Sequence, residues 1–498
     1  MHGNVGNLGW SFCYSLILFG LSVYGIHRYF ILHLYFRHRR WHRQPPSHFS
    51  ELPVVTVQLP VYNERYVVER LLQSVSRIQY PKEKLEIQVL DDSTDETSQI
   101  AAREVERLRS EGFDAVHLRR TERTGFKAGA LEAGLHRARG EFFLILDADF
   151  VPSPGILLQT IHYFVDPQIG MIQTRWQHLN RSYSWLTRAQ AILLDGHLVL
   201  EQTARSSTGR FFNFNGTAGL WRRSCIEEAG GWQHDTLTED LDLSYRAQLK
   251  GWRFIFLVDV VTPAELPIEI SAFKSQQHRW TKGSIQTCKK LLPKIWAGRL
   301  PLWIKAEATI HLTSNFTYLL LALLCILLLP AATAPLGAPS WLRTFLVDIP
   351  ILVANTVAAA VFYLLAQREL HPERWWRDII FFPFVLALGI GVSINNARAV
   401  LEAVFNYQSS FNRTPKYGIE EGVKRAGRAG YSTFRAVLPF GELLFAVYFA
   451  PFVAGAFVHR QFLSLPFLLL FEIGFSYVAC RSIWEWSRRL RGEAVSAD

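Results

Sequence analysis

An apolar run from Phe142 to Leu146 ends in two carboxylates one residue apart, Asp147 and Asp149. Such a run reads as a buried central strand, and the carboxyl end of such a strand is where open α/β sheets bind ligands. Side chains at i and i+2 of an extended chain point the same way, so both carboxylates face one position. Two carboxylates that share a hard cation with diphosphate oxygens form a site for Mg²⁺ or Mn²⁺. A strand that simply turns on aspartates has the same appearance, so the neighbouring segments decide between the two readings.

From Leu52 to about Leu266 strands and helices alternate. Val54–Leu59 is a strand stopping at Pro60, and Val67–Ile78 has helical spacing. Leu85–Leu90 is a second strand running into Asp91, Asp92 and Asp95, followed by a polar helix over Glu96–Arg109. Ala115–Leu118 is short and extended, and Phe126–Ala138 is a helix opening with Lys127-Ala128-Gly129. Ala189–Glu201 has an amphipathic helical pattern. This alternation predicts a doubly wound, parallel sheet.

The chain has 498 residues, 49% hydrophobic and 19% charged, with a net charge of +10. Its cations cluster beside apolar segments, which fits the cytoplasmic face of a membrane and argues against a nucleic-acid partner. The five cysteines are widely spaced, without a CxxC pair, so neither a zinc site nor a disulfide framework is indicated. The apolar stretch from Gly9 to Phe36 is followed by Arg37, Arg39, Arg40 and Arg43, the order of an uncleaved membrane helix with its basic flank inside. Ile310–Leu329, Phe345–Leu365, Val437–Phe457 and Phe462–Ala479 are further spans. Ile379–Ile394 is as apolar, but if it crossed, the basic segment from Arg413 to Arg435 would lie outside, so it is read as interfacial or re-entrant. The expected order is thus a membrane helix and basic flank (1–44), a cytosolic domain (45–284), an interfacial helix (285–306) and a membrane region (307–498), the last containing an interfacial helix (378–405) and a loop (406–430).

Five motifs occur in register: Gln58-Leu59-Pro60-Val61-Tyr62-Asn63-Glu64, Leu90-Asp91-Asp92-Ser93-Thr94-Asp95, Asp147-Ala148-Asp149, Thr238-Glu239-Asp240 and Gln276-Gln277-His278-Arg279-Trp280. Together they resemble the D, DxD, D, QxxRW pattern of processive family 2 glycosyltransferases. The closest resemblance is to the cellulose-synthase-like A group, the mannan and glucomannan synthases. Phe211-Phe212-Asn213-Phe214-Asn215-Gly216-Thr217-Ala218-Gly219 is similar to that group nearly word for word. The resemblance is strong from Leu52 to Trp280 and weaker over Phe411-Asn412-Arg413-Thr414-Pro415-Lys416.

The resemblance implies a GT-A type nucleotide-sugar-binding domain inserted between transmembrane helices. Pro60, Tyr62, Glu64 and Asp92 would hold the nucleoside, Tyr62 packing on the base and Asp92 accepting its ring N–H. Lys127, Arg279 and the metal ligands Asp147 and Asp149 would meet the diphosphate; a helix start and a guanidinium fork both suit phosphate. Asp240, with Glu239 beside it, would be the catalytic base; Asp242 is its rival. Gln276 and Trp280 would hold the acceptor, the indole offering a flat face to a sugar ring. Phe411, Thr414 and Lys416 match the gating loop of cellulose synthases, except that Arg413 replaces the usual valine. Each motif also has a plainer reading: Asp95 as a helix cap, Lys127 as a surface lysine, Arg279 and Trp280 as membrane-belt residues, 411–416 as a basic loop.

The implied activity is inverting transfer of mannose or glucose from GDP-mannose, GDP-glucose or UDP-glucose to a growing β-1,4-linked polysaccharide acceptor, with export through the chain's own membrane helices. The implied location is a plasma (inner) membrane with the catalytic domain cytosolic, or a Golgi membrane if the source is eukaryotic; membrane lipid is a partner, and an accessory subunit is left open. The alternatives are a β-glucan synthase using UDP-glucose, a glycolipid glucosyltransferase of the ceramide type, and a non-catalytic channel or scaffold.

Overall fold

The computed structural model describes residues 2–39, 44–333, 349–408, 414–420, 439–462 and 464–491. Seven strands, β1 (Val55–Val61), β2 (Leu85–Asp91), β3 (Asp114–Arg119), β4 (Phe142–Ile145), β5 (Ile169–His178), β6 (Gly219–Arg222) and β7 (Arg253–Ala264), form one sheet in the order β3-β2-β1-β4-β6-β5-β7. The β3-β2-β1-β4 half is parallel, as the alternation predicts, with Val55 opposite both Leu85 and Phe142. The other half departs from it: β6 is antiparallel to both β4 and β5. The sheet is therefore mixed. The reversal follows from the stretch 211–218, which passes the end of β4, where Ala218 N–H donates to Ile145 O at 2.8 Å, and feeds β6 back along it.

β1, β2 and β4 are wholly buried on both faces apart from Pro60, which explains their continuous apolar runs. One face packs Leu71, Leu72 and Val105 against Val57 and Leu144; the other packs Leu131, Phe214 and Trp221 against Phe143 and Ile145. The buried polar pairs inside the sheet are matched, as in Gln58 donating to Gln88 at 3.1 Å.

Four helices among the described residues are long and apolar enough to cross a membrane: Phe12–His38, Trp375–Val404, Phe440–Val458 and Leu465–Leu490. Leu302–Thr313 and Phe316–Leu328, bent by 56°, make a fifth if they are one broken span. The expected segment Phe345–Leu365 lies partly outside the described residues; its helix from Ile349 is not among these four. Close contacts between backbones need small residues. A Cβ on Gly25 would lie 1.8 Å from Ala354 O, and one on Gly391 would lie 2.2 Å from Gly474 O. Both ends of Trp375–Val404 bond to groups of the domain or of the long helix that leaves it. Asp378 accepts from Arg188 at 2.8 Å, and Glu402 accepts from Lys282 at 3.0 Å.

Candidate active site

β1, β2 and β4 end at one edge of the sheet, and one cavity opens there. It is lined by Pro60, Tyr62, Glu64, Asp92, Lys127, Asp147, Asp149, Glu239, Asp240, Gln276, Arg279, Trp280, Thr414 and Lys416. Every candidate site residue read from the sequence is therefore on its wall except Phe411, which lies outside the described residues.

Asp147 and Asp149 form the floor. The Asp147 N–H donates to Thr217 Oγ1 at 2.8 Å, and its Oδ1 accepts from Lys127 Nζ at 2.5 Å. Asp149 Oδ2 accepts from Lys416 Nζ at 2.7 Å and from Glu265 N–H at 3.2 Å. Among the described residues no group of three or more His, Cys, Asp or Glu side chains could hold a metal ion. Two carboxylates alone suit a hard cation that takes its remaining oxygens from phosphate and water. Asp147 and Asp149 thus fit Mg²⁺ or Mn²⁺ and would be its protein ligands.

Lys127 opens the helix Phe126–Leu135, and Gly125 turns the chain into it with φ +72°. The ammonium also donates to Gly216 O at 2.7 Å, so one cation joins the metal ligands to the 211–218 stretch. Gly216 has φ +83°, and a Cβ there would lie 2.9 Å from Asp240 Oδ2. Glycine is required on both counts.

Asp240 sits in the first turn of the helix Glu239–Leu249. Burial, with Glu239 adjacent, pushes its carboxyl up to about 7, opposed by the Leu241 N–H, Lys127 and Arg279. A carboxylate tuned to that range is a proton acceptor at neutral pH. Its rival Asp242 is fully buried, pairs with Arg246 at 2.8 Å and Lys290 at 2.9 Å, and does not line the cavity.

At the far end, Asp92 is gripped by Arg120, whose Nε donates at 2.9 Å, and the Arg123 guanidinium lies 3.4 Å over the centre of the Tyr62 ring. Asp91 and Asp95 take the plainer roles: Asp91 is buried and accepts from His117 and Ser93, and Asp95 accepts from Thr97 N–H at 3.0 Å in the turn that enters the following helix. Gln276, Arg279 and Trp280 fall at i, i+3 and i+4 on one face of the helix Ile270–Ala297. That helix sits close to Thr238, because Gly283 has no Cβ to strike it; one would lie 2.5 Å from Thr238 Cγ2.

The 414–420 segment arrives from beyond the helix Ser393–Val404. Glu265, 3% exposed, accepts the backbone N–H groups of Tyr417 at 2.8 Å, Gly418 at 2.8 Å and Ile419 at 3.2 Å. Tyr417 Oη also donates to Glu269. Sequence reasoning missed Glu265, Thr217, Arg120 and Arg123. Thr217 and Gly216 had a signal in the unusual Asn-Gly-Thr-Ala-Gly run, whereas Glu265 had none, since its partners are backbone groups of a distant segment.

Residues 53–283 match the family described as "Glycosyltransferase like family 2". The chain is 38% identical over 354 residues to probable glucomannan 4-beta-mannosyltransferase 3 of Oryza sativa subsp. japonica, an alignment covering 70% of this chain and 62% of the relative. It is 43% identical over 251 residues to glucomannan 4-beta-mannosyltransferase 2 of Arabidopsis thaliana, covering 49% of this chain and 47% of the relative. The chain thus spans about half to three-fifths of the length of these curated relatives. Among solved structures, mannosyltransferase PcManGT from Pyrobaculum calidifontis, in complex with GDP-Man and Mn²⁺, is similar with a TM-score of 0.52 at 22% identity, over 79% of this chain and 100% of that one. At that identity the likeness is one of fold.

Proposed function

Since residues 53–283 belong to the family 2 glycosyltransferases, we propose that the chain is a membrane-embedded, inverting mannosyltransferase that extends a β-1,4-linked glycan from GDP-mannose. The observation that carries this reading is the meeting, in one cavity, of Asp147 and Asp149, Asp240, and the Gln276-Arg279-Trp280 face. Support for the sugar comes from the mannosyltransferase relatives and from the GDP-Man and Mn²⁺ bound by PcManGT.

In this reading Gln276 and Trp280 hold the terminal sugar of the acceptor against the donor. Asp240 takes the proton of the attacking hydroxyl, and the anomeric carbon inverts in one displacement, with no covalent sugar–protein bond. Asp147 and Asp149 would hold a divalent cation, which would supply the positive charge that offsets the leaving diphosphate. Lys127, Arg279 and Lys416 add positive charge around the same oxygens, and Thr414 offers a hydroxyl. Trp280 and the 414–420 segment shield the donor from water, which would otherwise hydrolyse it.

The ion pairs at both ends of Trp375–Val404 favour an interfacial or re-entrant course for that helix over a crossing. Its first half is apolar and packs on Leu465–Leu490; its second half carries Asn395 and Glu402 toward the helix Ile270–Ala297. The basic flanks support a cytosolic catalytic domain at a plasma or Golgi membrane, and in this reading the remaining apolar helices are the polymer's way out.

The test is incubation of membranes carrying the protein with radiolabelled GDP-mannose, GDP-glucose or UDP-glucose, singly, followed by linkage-specific hydrolases. Label from GDP-mannose in a β-mannanase-sensitive polymer is expected. Label from UDP-glucose alone, in a lipid-extractable product, would replace this reading with a glycolipid transferase.

A further inference from the structure

His178 closes β5 and lines the same cavity as Trp176 and Trp280, yet no motif points to it. It is 9% exposed, and its Nε2 lies 3.2 Å from Asp195 Oδ1. Asp195 is itself 3% exposed, and its other oxygen accepts from Arg181 at 2.6 Å and Gln367 at 3.1 Å. An aspartate buried on an arginine is ionised, and an ionised carboxylate only accepts. The proton of the His178–Asp195 bond therefore sits on Nε2, and in the neutral ring Nδ1 is left as a bare acceptor. That atom has no hydrogen-bond partner among the described residues.

The position matters as much as the tautomer. Gln367 belongs to the helix Ala358–Leu370, and Arg181 and Arg188 both reach Asp378 at the start of Trp375–Val404. The pair thus links the cavity wall, which also carries Trp176, Gln276 and Trp280, to the helices Ala358–Leu370 and Trp375–Val404. A saccharide extended from the transfer site toward those helices presents ring faces to the indoles and hydroxyl donors to a fixed acceptor.

Resting on the mannosyltransferase reading above, we infer that His178 Nδ1 accepts a hydroxyl of the glycan acceptor, and that Asp195 is the positioning residue that holds the ring in that tautomer. His178 would then fix the register of the chain between additions, acting on the acceptor and not on the donor.

The test uses the purified full chain in detergent, with GDP-mannose as donor and β-1,4-mannohexaose as acceptor. His178→Leu keeps Asp195 paired with Arg181 and Gln367, so the hub survives the change. It should raise KM for mannohexaose about tenfold, the size of one lost hydrogen bond, and shorten the polymer made without added acceptor. GDP affinity and acceptor-independent hydrolysis of GDP-mannose should stay at wild-type values. His178→Gln should restore KM to within about threefold, because a carboxamide can donate to Asp195 and still offer an oxygen to the cavity. An unchanged KM and product length in His178→Leu, or equal loss in the Leu and Gln variants, overturns the inference while leaving the function standing. Failure of the wild-type protein to transfer mannose at all overturns the function reading, and this inference with it.

Discussion

Lys416 Nζ lies 2.7 Å from Asp149 Oδ2, although 267 positions separate them. The ammonium also donates to Glu265 O at 2.6 Å, so it sits between Asp149, a proposed metal ligand, and the residue that anchors its own segment. A charge placed there acts on whatever Asp149 binds.

Lys416→Ala should therefore lower both GDP-mannose affinity and turnover, each by about tenfold, with protein abundance unchanged. Nucleotide binding and initial rates of polymer synthesis measure it. Wild-type values would show that 414–420 is only a basic segment near the membrane.

Asp240→Asn should keep nucleotide binding and reduce transfer by about 10²–10⁴-fold. In the proposed mechanism the base is the ionised form of the Asp240 carboxyl, which burial raises to about 7. kcat/KM should accordingly rise with pH through about 7 and then level, a limb that Asp240→Asn removes. Asp242→Asn should instead lower the unfolding temperature, because it loosens a buried pair with Arg246 and Lys290.

Chelation should abolish synthesis, and Mg²⁺ or Mn²⁺ should restore it. Asp149→Ala should weaken GDP binding in the presence of Mn²⁺ more than in its absence. Full turnover in excess chelator would falsify the assignment of Asp147 and Asp149 to a metal.

Gly216→Ala should cost activity out of proportion to its size. The added methyl meets Asp240 Oδ2 on a backbone with φ +83°, so the base and the Lys127 contact both shift. Initial rates should fall at least tenfold; a rate near that of the wild type would show that this approach is not catalytic.

Trp376 and Tyr407 stand at the two ends of Trp375–Val404, 58% and 62% exposed. Cysteines placed at the two positions in a background lacking native cysteines should both be labelled by an impermeant maleimide from the side that holds the catalytic domain. Labelling from opposite sides would show that the helix crosses.

What the chain specifies by itself is local. The runs Val55–Val61, Leu85–Asp91 and Phe142–Ile145, each apolar and then acidic or turning, determine three parallel strands ending at one edge, because a strand buried on both faces has no other composition. Helical spacing likewise puts Gln276, Arg279 and Trp280 on one face. Which of two neighbouring acids serves the cavity is only partly local: Asp240 and Asp242 are both first-turn acids, the i+4 partner Arg246 lies on the same helix, and Lys290, from another segment, completes the burial of Asp242. The antiparallel course of β6, the grip of Glu265 on 414–420 and the His178–Asp195 pair were decided in the same way by tertiary structure. Each depends on a hydrogen bond between separate elements, and periodicity carries no information about such pairings.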